Sequence, residues 1–425
     1  MTTSIPLGLL PDTATVAADG SLEIGGVSLL ELADTYGTPL FVYDETHLRN
    51  RCRQAVEAFG YQNVVYATKA FLCKAMAKLA YEEGLLLDVA TGGELHVALS
   101  AGVPADACTF HGNNKSLGEL RTAMSVGVRQ IVVDSFDEMD RIDSLHAEGL
   151  PVPNVVLRIT PGVHAHTHEF IATGQDDSKF GFNLGNGDAR RAVDRARSAA
   201  SMHLLGLHCH IGSNVFAASN FAKAAEVMAS FAIPLDLPEL VLGGGLGVAY
   251  TVGEEAPTIG EWGSVLLDAC AAMGVRSRVS VEPGRSIVAS AAVTLYSVGT
   301  VKEIPGIRTY VAVDGGMSDN PRPVLYGSGY EAFLPRDVGA DRTASARLVG
   351  KHCESGDVLI FDAALPDGVV VGDIVATPVT GAYGHSMGSN YNKVTRPPVV
   401  FVADGVARLV VRRETFEDLL ACDLG

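Results

Sequence analysis

The chain has 425 residues, 47% hydrophobic and 19% charged, enough apolar material for a large core, so disorder is excluded as the dominant state. A formal charge of −17 sets the whole-molecule field against phosphate backbones and anionic lipid, which argues against nucleic acid and membrane surfaces as partners. Met1 to Leu10 carries no basic residue ahead of its short apolar stretch, and longer apolar runs are broken well before bilayer length, so the chain reads as soluble and unexported.

From the N-terminus, Leu22–Ile24 and Val27 flank Gly25-Gly26 as a predicted hairpin, and Pro39–Tyr43 reads as a strand. Between about residues 45 and 290, short apolar runs alternate with segments of helical period such as Ala70–Glu83 and Gly93–Ala101. The runs are Val64–Ala67, Leu85–Val89, Ala107–Phe110, Gln130–Val133, Val155–Ile159, Leu204–Leu207, Leu240–Leu242 and Val279–Val281, the eight that a closed (β/α)8 barrel needs. Barrel enzymes carry their chemistry at the C-terminal ends of the strands. Here those ends hold Lys69, Asp88, His111, Asp134, Arg158, His208 with His210, Gly243–Gly245, and Glu282 with Arg285.

After about residue 290 the period shortens to two. Val293–Ile304, Thr309–Val313, Val358–Phe361, Val399–Val402 and Arg408–Arg412 read as strands of a second, mainly β domain. The N-terminal segment is expected to join that sheet. The predicted division is therefore a barrel over 46–290 and a discontinuous β domain of 1–45 and 291–425.

Several motifs carry chemistry. Lys69 ends an apolar strand, where burial would lower its pKa toward a nucleophilic amine suited to Schiff-base formation; a lysine that simply reaches solvent is the plain alternative. Gly243-Gly244-Gly245 after a strand offers free N–H groups for a phosphate, and His210-Ile211-Gly212-Ser213 is a second such donor set. Glu282-Pro283-Gly284-Arg285 places a carboxylate and a guanidinium at the last strand end. His208-x-His210 also suits two metal ligands, so a zinc-dependent barrel hydrolase competes, and His164-x-His166-x-His168 invites the same thought. Cys353, between His352 and Glu354, is flanked by polar groups and could donate a proton. The seven cysteines (Cys52, Cys73, Cys108, Cys209, Cys270, Cys353 and Cys422) lack Cys-x-x-Cys spacing, which points to a reducing cytoplasm.

In order along nearly the whole chain, Tyr66–Ala70, His208–Ser213, Gly243–Gly247, Glu282–Arg285, Asp314–Tyr326, Cys353–Asp357 and Gly381–Gly384 resemble the fold-type III pyridoxal-phosphate decarboxylases, and within them those acting on diaminopimelate. The resemblance implies an alanine-racemase-type barrel plus a β domain, with pyridoxal 5'-phosphate as cofactor and no metal. It implies that Lys69 holds the cofactor covalently, that His210 stacks on its ring and that Glu282 faces its ring nitrogen. Asp88, Ser213, Gly243, Gly244, Gly245, Gly284, Arg285 and Tyr383 would complete the cofactor site. Cys353 would return the proton, reaching the site from the other subunit of a homodimer. For the substrate, meso-diaminopimelate, a distal carboxylate and ammonium need a cation and an anion together; Arg285, Arg322 and Tyr326 would serve the carboxylate and Glu354 the ammonium, with Tyr383 also among the substrate-binding residues. The product would be L-lysine with release of CO2. A decarboxylase of another diamino acid remains the alternative within the same fold. The sequence departs from the family pattern at Val241-Leu242 and at Asn214.

Overall fold

The computed structural model describes residues 4–162 and 177–425. His164, His166 and His168 lie outside the described residues. Contacts divide the chain into two compact units, one of 51–248 and 256–286, the other of 1–50, 249–255 and 287–425.

The first unit is the barrel. Its strands are β1 (Val65–Ala67), β2 (Leu86–Val89), β3 (Cys108–Phe110), β4 (Gln130–Val133), β5 (Asn154–Thr160), β6 (His203–His208), β7 (Glu239–Val241) and β8 (Arg278–Ser280). Neighbours in the chain pair in parallel throughout. The ring closes where Val64 bridges Val281 and the Val65 N–H donates to the Val281 carbonyl at 2.8 Å. Such strands are covered on both faces, which is why they read as continuous apolar runs rather than alternating ones. The helices between them are set by their ends. Ser116 and Glu119 form a capping box at the start of Leu117–Val126, Thr258 and Glu261 do the same for Ile259–Met273, and Gly127 and Gly274 end these helices in the left-handed conformation. A short ninth strand, Phe182–Asn183, pairs with the end of β5 and was not expected.

In the second unit, strands run in the order Val358–Leu365, Ala344–Val349, Arg308–Val313, Ala292–Ile304, Leu40–Asp44, Val399–Ala403 and Val406–Val411, with Ile374–Pro378 also paired to Ala292–Ile304. The expectation that the N-terminal segment joins this sheet holds only for Leu40–Asp44, which lies between Ala292–Ile304 and Val399–Ala403. The hairpin of Leu22–Ile24 and Val27–Ser28 instead builds a small sheet of its own with Thr15–Val16. Its strands are two or three residues long, and Leu22 and Ile24 are buried in that local layer. Among the described residues no helix is long and apolar enough to cross a membrane.

Candidate active site

In the barrel unit the chemistry gathers at the strand ends. β1 stops at Ala67, and a single turn of 3-10 helix, Thr68–Ala70, follows. Thr68 donates to the Asp88 carbonyl at 2.7 Å, and the Tyr66 hydroxyl donates to the Phe71 carbonyl at 2.7 Å, so both flanks of the turn are tied down. Thr68 and Ala70 are buried while Lys69 is exposed. Lys69 thus takes the solvent-reaching alternative rather than the buried one: β1 stops at Ala67, where the sequence placed its end, and the turn that follows carries the side chain clear of the core. The amine remains within electrostatic reach of Asp88 and His210.

Glu282 is the centre of the polar cluster. Its Oε2 accepts from His208 Nε2 at 2.9 Å, and its Oε1 lies 2.8 Å from His111 Nε2 in an ion-pair contact. All three residues are buried. Burial alone would raise the Glu282 carboxyl, yet the two imidazoles hold it well below the usual carboxylate range. For His111, Asp88 and Glu282 outweigh burial and shift its pKa upward. Burial prevails at His208 and lowers it. His208 therefore donates from a neutral Nε2–H, which agrees with a buried Nδ1 that has no hydrogen-bond partner among the described residues. Asp88, 3.8 Å from His111 Nε2, is raised by burial to about 6. Farther round the mouth, Arg158 pairs with Asp134 at 3.5 Å and lies 4.1 Å over the Phe180 ring.

His210 takes a different role from its neighbour two residues back. Its Nδ1 accepts the Gly244 N–H at 3.3 Å, and desolvation, followed by the Lys69 and Arg158 charges, pushes its pKa well down, so the ring is neutral with its proton on Nε2. The two histidines thus do not converge as metal ligands. His111, His208 and Glu282 do place three potential ligand atoms within 4.8 Å of one another, but both imidazoles already engage the carboxylate.

The glycines are dictated by space. A Cβ on Gly244 would overlap the Glu282 carbonyl, and one on Gly245 would overlap the Gly212 carbonyl. Backbone thus replaces side chain along this seam, leaving amide groups close to any ligand. Arg285 Nη2 donates to Ser213 Oγ at 2.9 Å, joining the β8 end to the His-Ile-Gly-Ser loop. Asn214, one of the departures from the family pattern, sits at a φ of 60°, a left-handed conformation that asparagine accepts more readily than most residues. A pocket with amide donors, a serine hydroxyl, a guanidinium, a neutral imidazole, a fixed carboxylate and a free-reaching lysine amine fits a phosphorylated, protonated pyridine aldehyde.

Gly243 and Gly284 also belong to the barrel unit, where a Cβ on Gly284 would lie 3.0 Å from the Ala67 carbonyl oxygen; the other expected residues lie in the β unit. Arg322 and Tyr326 open and close one short helix, Arg322–Tyr326. The Arg322 guanidinium is buried 4.1 Å over the Tyr250 ring, and its Nη1 donates to the Tyr330 hydroxyl at 2.5 Å. Its Nε has no hydrogen-bond partner among the described residues. Cys353 and Glu354 lie in the turn between Ala344–Val349 and Val358–Leu365, with the thiol residue exposed. Tyr383 adopts a left-handed φ of 60°.

The strand-end pattern singles out His111, Asp134, Arg158 and His208, but no motif assigns a role to the first three, and the metal-ligand reading of His208 with His210 misses its bond to Glu282. Tyr250 and Tyr330, the aromatic faces of Arg322, were missed: they are 72 and 8 residues from it in sequence and carry no local signal.

Residues 45–289 match the family profile of the pyridoxal-dependent decarboxylase pyridoxal-binding domain. The chain belongs to the pyridoxal-dependent decarboxylases, and its barrel and second β sheet are the architecture of the fold-type III members. It is 48% identical over 422 residues to the diaminopimelate decarboxylase of Bacillus subtilis, covering 95% of each chain, and 47% identical over 425 residues to that of Mycobacterium bovis, again covering 95% of each. The solved diaminopimelate decarboxylase of M. jannaschii in complex with L-lysine is similar with a TM-score of 0.91 and 32% identity, over 97% of this chain and 98% of that one. Within the family, the chain is therefore placed among the diaminopimelate decarboxylases.

Proposed function

We propose that this chain converts meso-2,6-diaminopimelate to L-lysine and CO2 with pyridoxal 5'-phosphate. The observation that carries the reading is Glu282, a buried carboxylate kept ionised by two imidazoles beside the triple-glycine seam and the Lys69 turn. The bound cofactor supplies an electron sink for the pair left when CO2 departs. The Glu282 charge favours a protonated ring nitrogen and so deepens that sink; His208 and His111 keep the charge in place. Neutral His210 offers a flat face without an opposing positive charge. Gly243–Gly245, Ser213 and Arg285 supply donors for a phosphate, with Asp88, Gly284 and Tyr383 completing the site, and Lys69 supplies the amine that tethers the cofactor.

A proton must then reach the carbon that lost CO2. In the barrel unit every cysteine is buried, and burial pushes the Cys209 thiol up to about 12. Cys353 is exposed and is assigned this step: its S–H bond breaks as the C–H bond forms, and the thiolate recovers a proton from water. Arg322 and Tyr326 are assigned to the distal carboxylate and Glu354 to the distal ammonium. That pairing disfavours ornithine and lysine, whose distal ends carry only a cation. The working unit in this reading is a cytoplasmic homodimer in which each β unit supplies Cys353 and Glu354 to the partner's barrel.

The test is CO2 release with diaminopimelate, lysine and ornithine offered separately to purified protein. Turnover of diaminopimelate by a coloured protein is expected. Efficient ornithine turnover would overturn the distal-pocket assignment, and a colourless, zinc-loaded protein would overturn the cofactor assignment in favour of a barrel hydrolase.

A further inference from the structure

The turn that carries Cys353 is largely closed by its own bonds. Gly350 N–H donates to the Asp357 carbonyl at 3.0 Å, His352 N–H to Asp357 Oδ2 at 2.8 Å, and Asp357 N–H to the Glu354 carbonyl at 3.1 Å. The Cys353 N–H is satisfied from outside. It donates to Asn392 Oδ1 at 3.1 Å, across 39 residues of sequence. A peptide N–H can only donate, so the atom facing it is the amide oxygen and the side-chain orientation of Asn392 is fixed. The same oxygen lies 3.3 Å from His352 Nδ1, while His352 Nε2 lies 2.8 Å from Ser318 Oγ. One residue earlier, the Tyr391 hydroxyl donates to Glu354 Oε1 at 2.6 Å, and its ring lies 5.4 Å from that of His352.

Consecutive side chains thus grip three consecutive residues. Asn392 reaches them from a left-handed backbone, φ 50°, a conformation asparagine tolerates better than most residues. The segment is anchored behind by Ser389 N–H donating to the Ser318 carbonyl at 2.9 Å.

We propose that Asn392 and Tyr391 are positioning residues for proton return and substrate selection: Asn392 fixes the backbone from which the Cys353 thiol projects, and Tyr391 fixes the carboxylate of Glu354. The proposal rests on the assignment of Cys353 as proton donor and Glu354 as ammonium partner. It separates two effects that a general structural role would blend. Asn392→Gly retains the left-handed backbone and removes the grip on Cys353, so kcat falls on the order of tenfold with KM little changed. Asn392→Asp restores the acceptor oxygen and recovers part of that loss. Tyr391→Phe keeps the ring and removes the bond to Glu354, so KM for diaminopimelate rises several-fold with kcat nearly unchanged.

The measurements are steady-state kinetics, the visible spectrum of the holoenzyme, its melting temperature and the rate at which iodoacetamide alkylates Cys353. The expected result is the kcat and KM split, with spectrum and melting temperature within error of the parent and an altered alkylation rate in Asn392→Gly alone. Parent kcat in Asn392→Gly, or equal loss in all three variants accompanied by a lowered melting temperature, overturns the proposal. Cys353→Ala and Glu354→Gln are run alongside. If either is fully active, the underlying assignment of that residue has failed; if both are impaired while the Asn392 and Tyr391 variants match the parent, only the positioning role has failed.

Discussion

Gly244→Ala isolates the role of the glycine seam, because Gly244 has an ordinary φ and the substitution is opposed by space alone. The new Cβ would overlap the Glu282 carbonyl oxygen and lie 2.8 Å from its carbonyl carbon. Carbon atoms pack at about 3.5–4.0 Å, so the ends of β7 and β8 must part by roughly 1 Å. Neither obstacle can rotate away, since both are backbone atoms. The seam is also where the Glu282 N–H donates to the Gly243 carbonyl at 2.7 Å and the Gly244 N–H to His210. Displacement therefore moves the carboxylate, the imidazole and the amide donors together. The expected cost is about 1–3 kcal/mol of stability, and the displaced donors weaken cofactor binding. The assay is titration of apo-protein with pyridoxal phosphate, followed by visible absorbance, beside thermal unfolding of the apo-protein. Gly260→Ala is the control: it lies inside the helix Ile259–Met273 with open space around its Cβ position, and it should stabilise by about 0.5–1 kcal/mol. Parent affinity and parent melting temperature in Gly244→Ala would refute the argument that this seam must be free of side chains.

Lys69→Ala should abolish CO2 release while the far-ultraviolet spectrum stays that of the parent, because the residue is exposed and its turn is held by Thr68 and Tyr66. Mixing Lys69→Ala with Cys353→Ala under conditions of subunit exchange should restore activity to about a quarter of all sites, since half the dimers become hybrids with one intact site each; no recovery after proven exchange would place Cys353 in its own chain's site. Lys115 Nζ is engaged by the Gly112 and Val132 carbonyls at 2.8 and 2.6 Å and by Glu138 at 2.7 Å, and Lys115, Val132 and Glu138 are buried, so Lys115→Met alone should cost about 3–5 kcal/mol in urea unfolding. Adding Glu138→Gln, which keeps an acceptor for the Asp134 N–H, should recover much of that loss. Burial raises Asp319 to about 7 although the Tyr296 hydroxyl donates to it at 2.6 Å. The folded protein then holds a proton that the unfolded chain loses near pH 4, so stability falls as pH rises from about 4 to about 7. Asp319→Asn should flatten that part of the melting temperature against pH, and an unchanged slope would exclude Asp319 as its source.

How far the sequence reaches is clear from particular residues. Gln130–Val133 was predicted at its observed limits, and the other barrel strands fell within a residue or two, because an apolar run bounded by turn residues is a local property of the chain. Parallel barrel strands present their last residues to one end, so Asp88, His210 and Glu282 could be named as neighbours before any contact was known. Tertiary structure alone decided which groups touch. The insertion of Leu40–Asp44 between strands some 250 and 360 residues downstream depends on a complementary edge formed elsewhere. The grip of His111 and His208 on Glu282 arises only when the ring closes, and the one-turn helix that exposes Lys69 is set by bonds from Thr68 to β2 and from Tyr66 to Phe71. Periodicity records which way a side chain faces; its partner, and hence its charge, is set by distances across the closed fold.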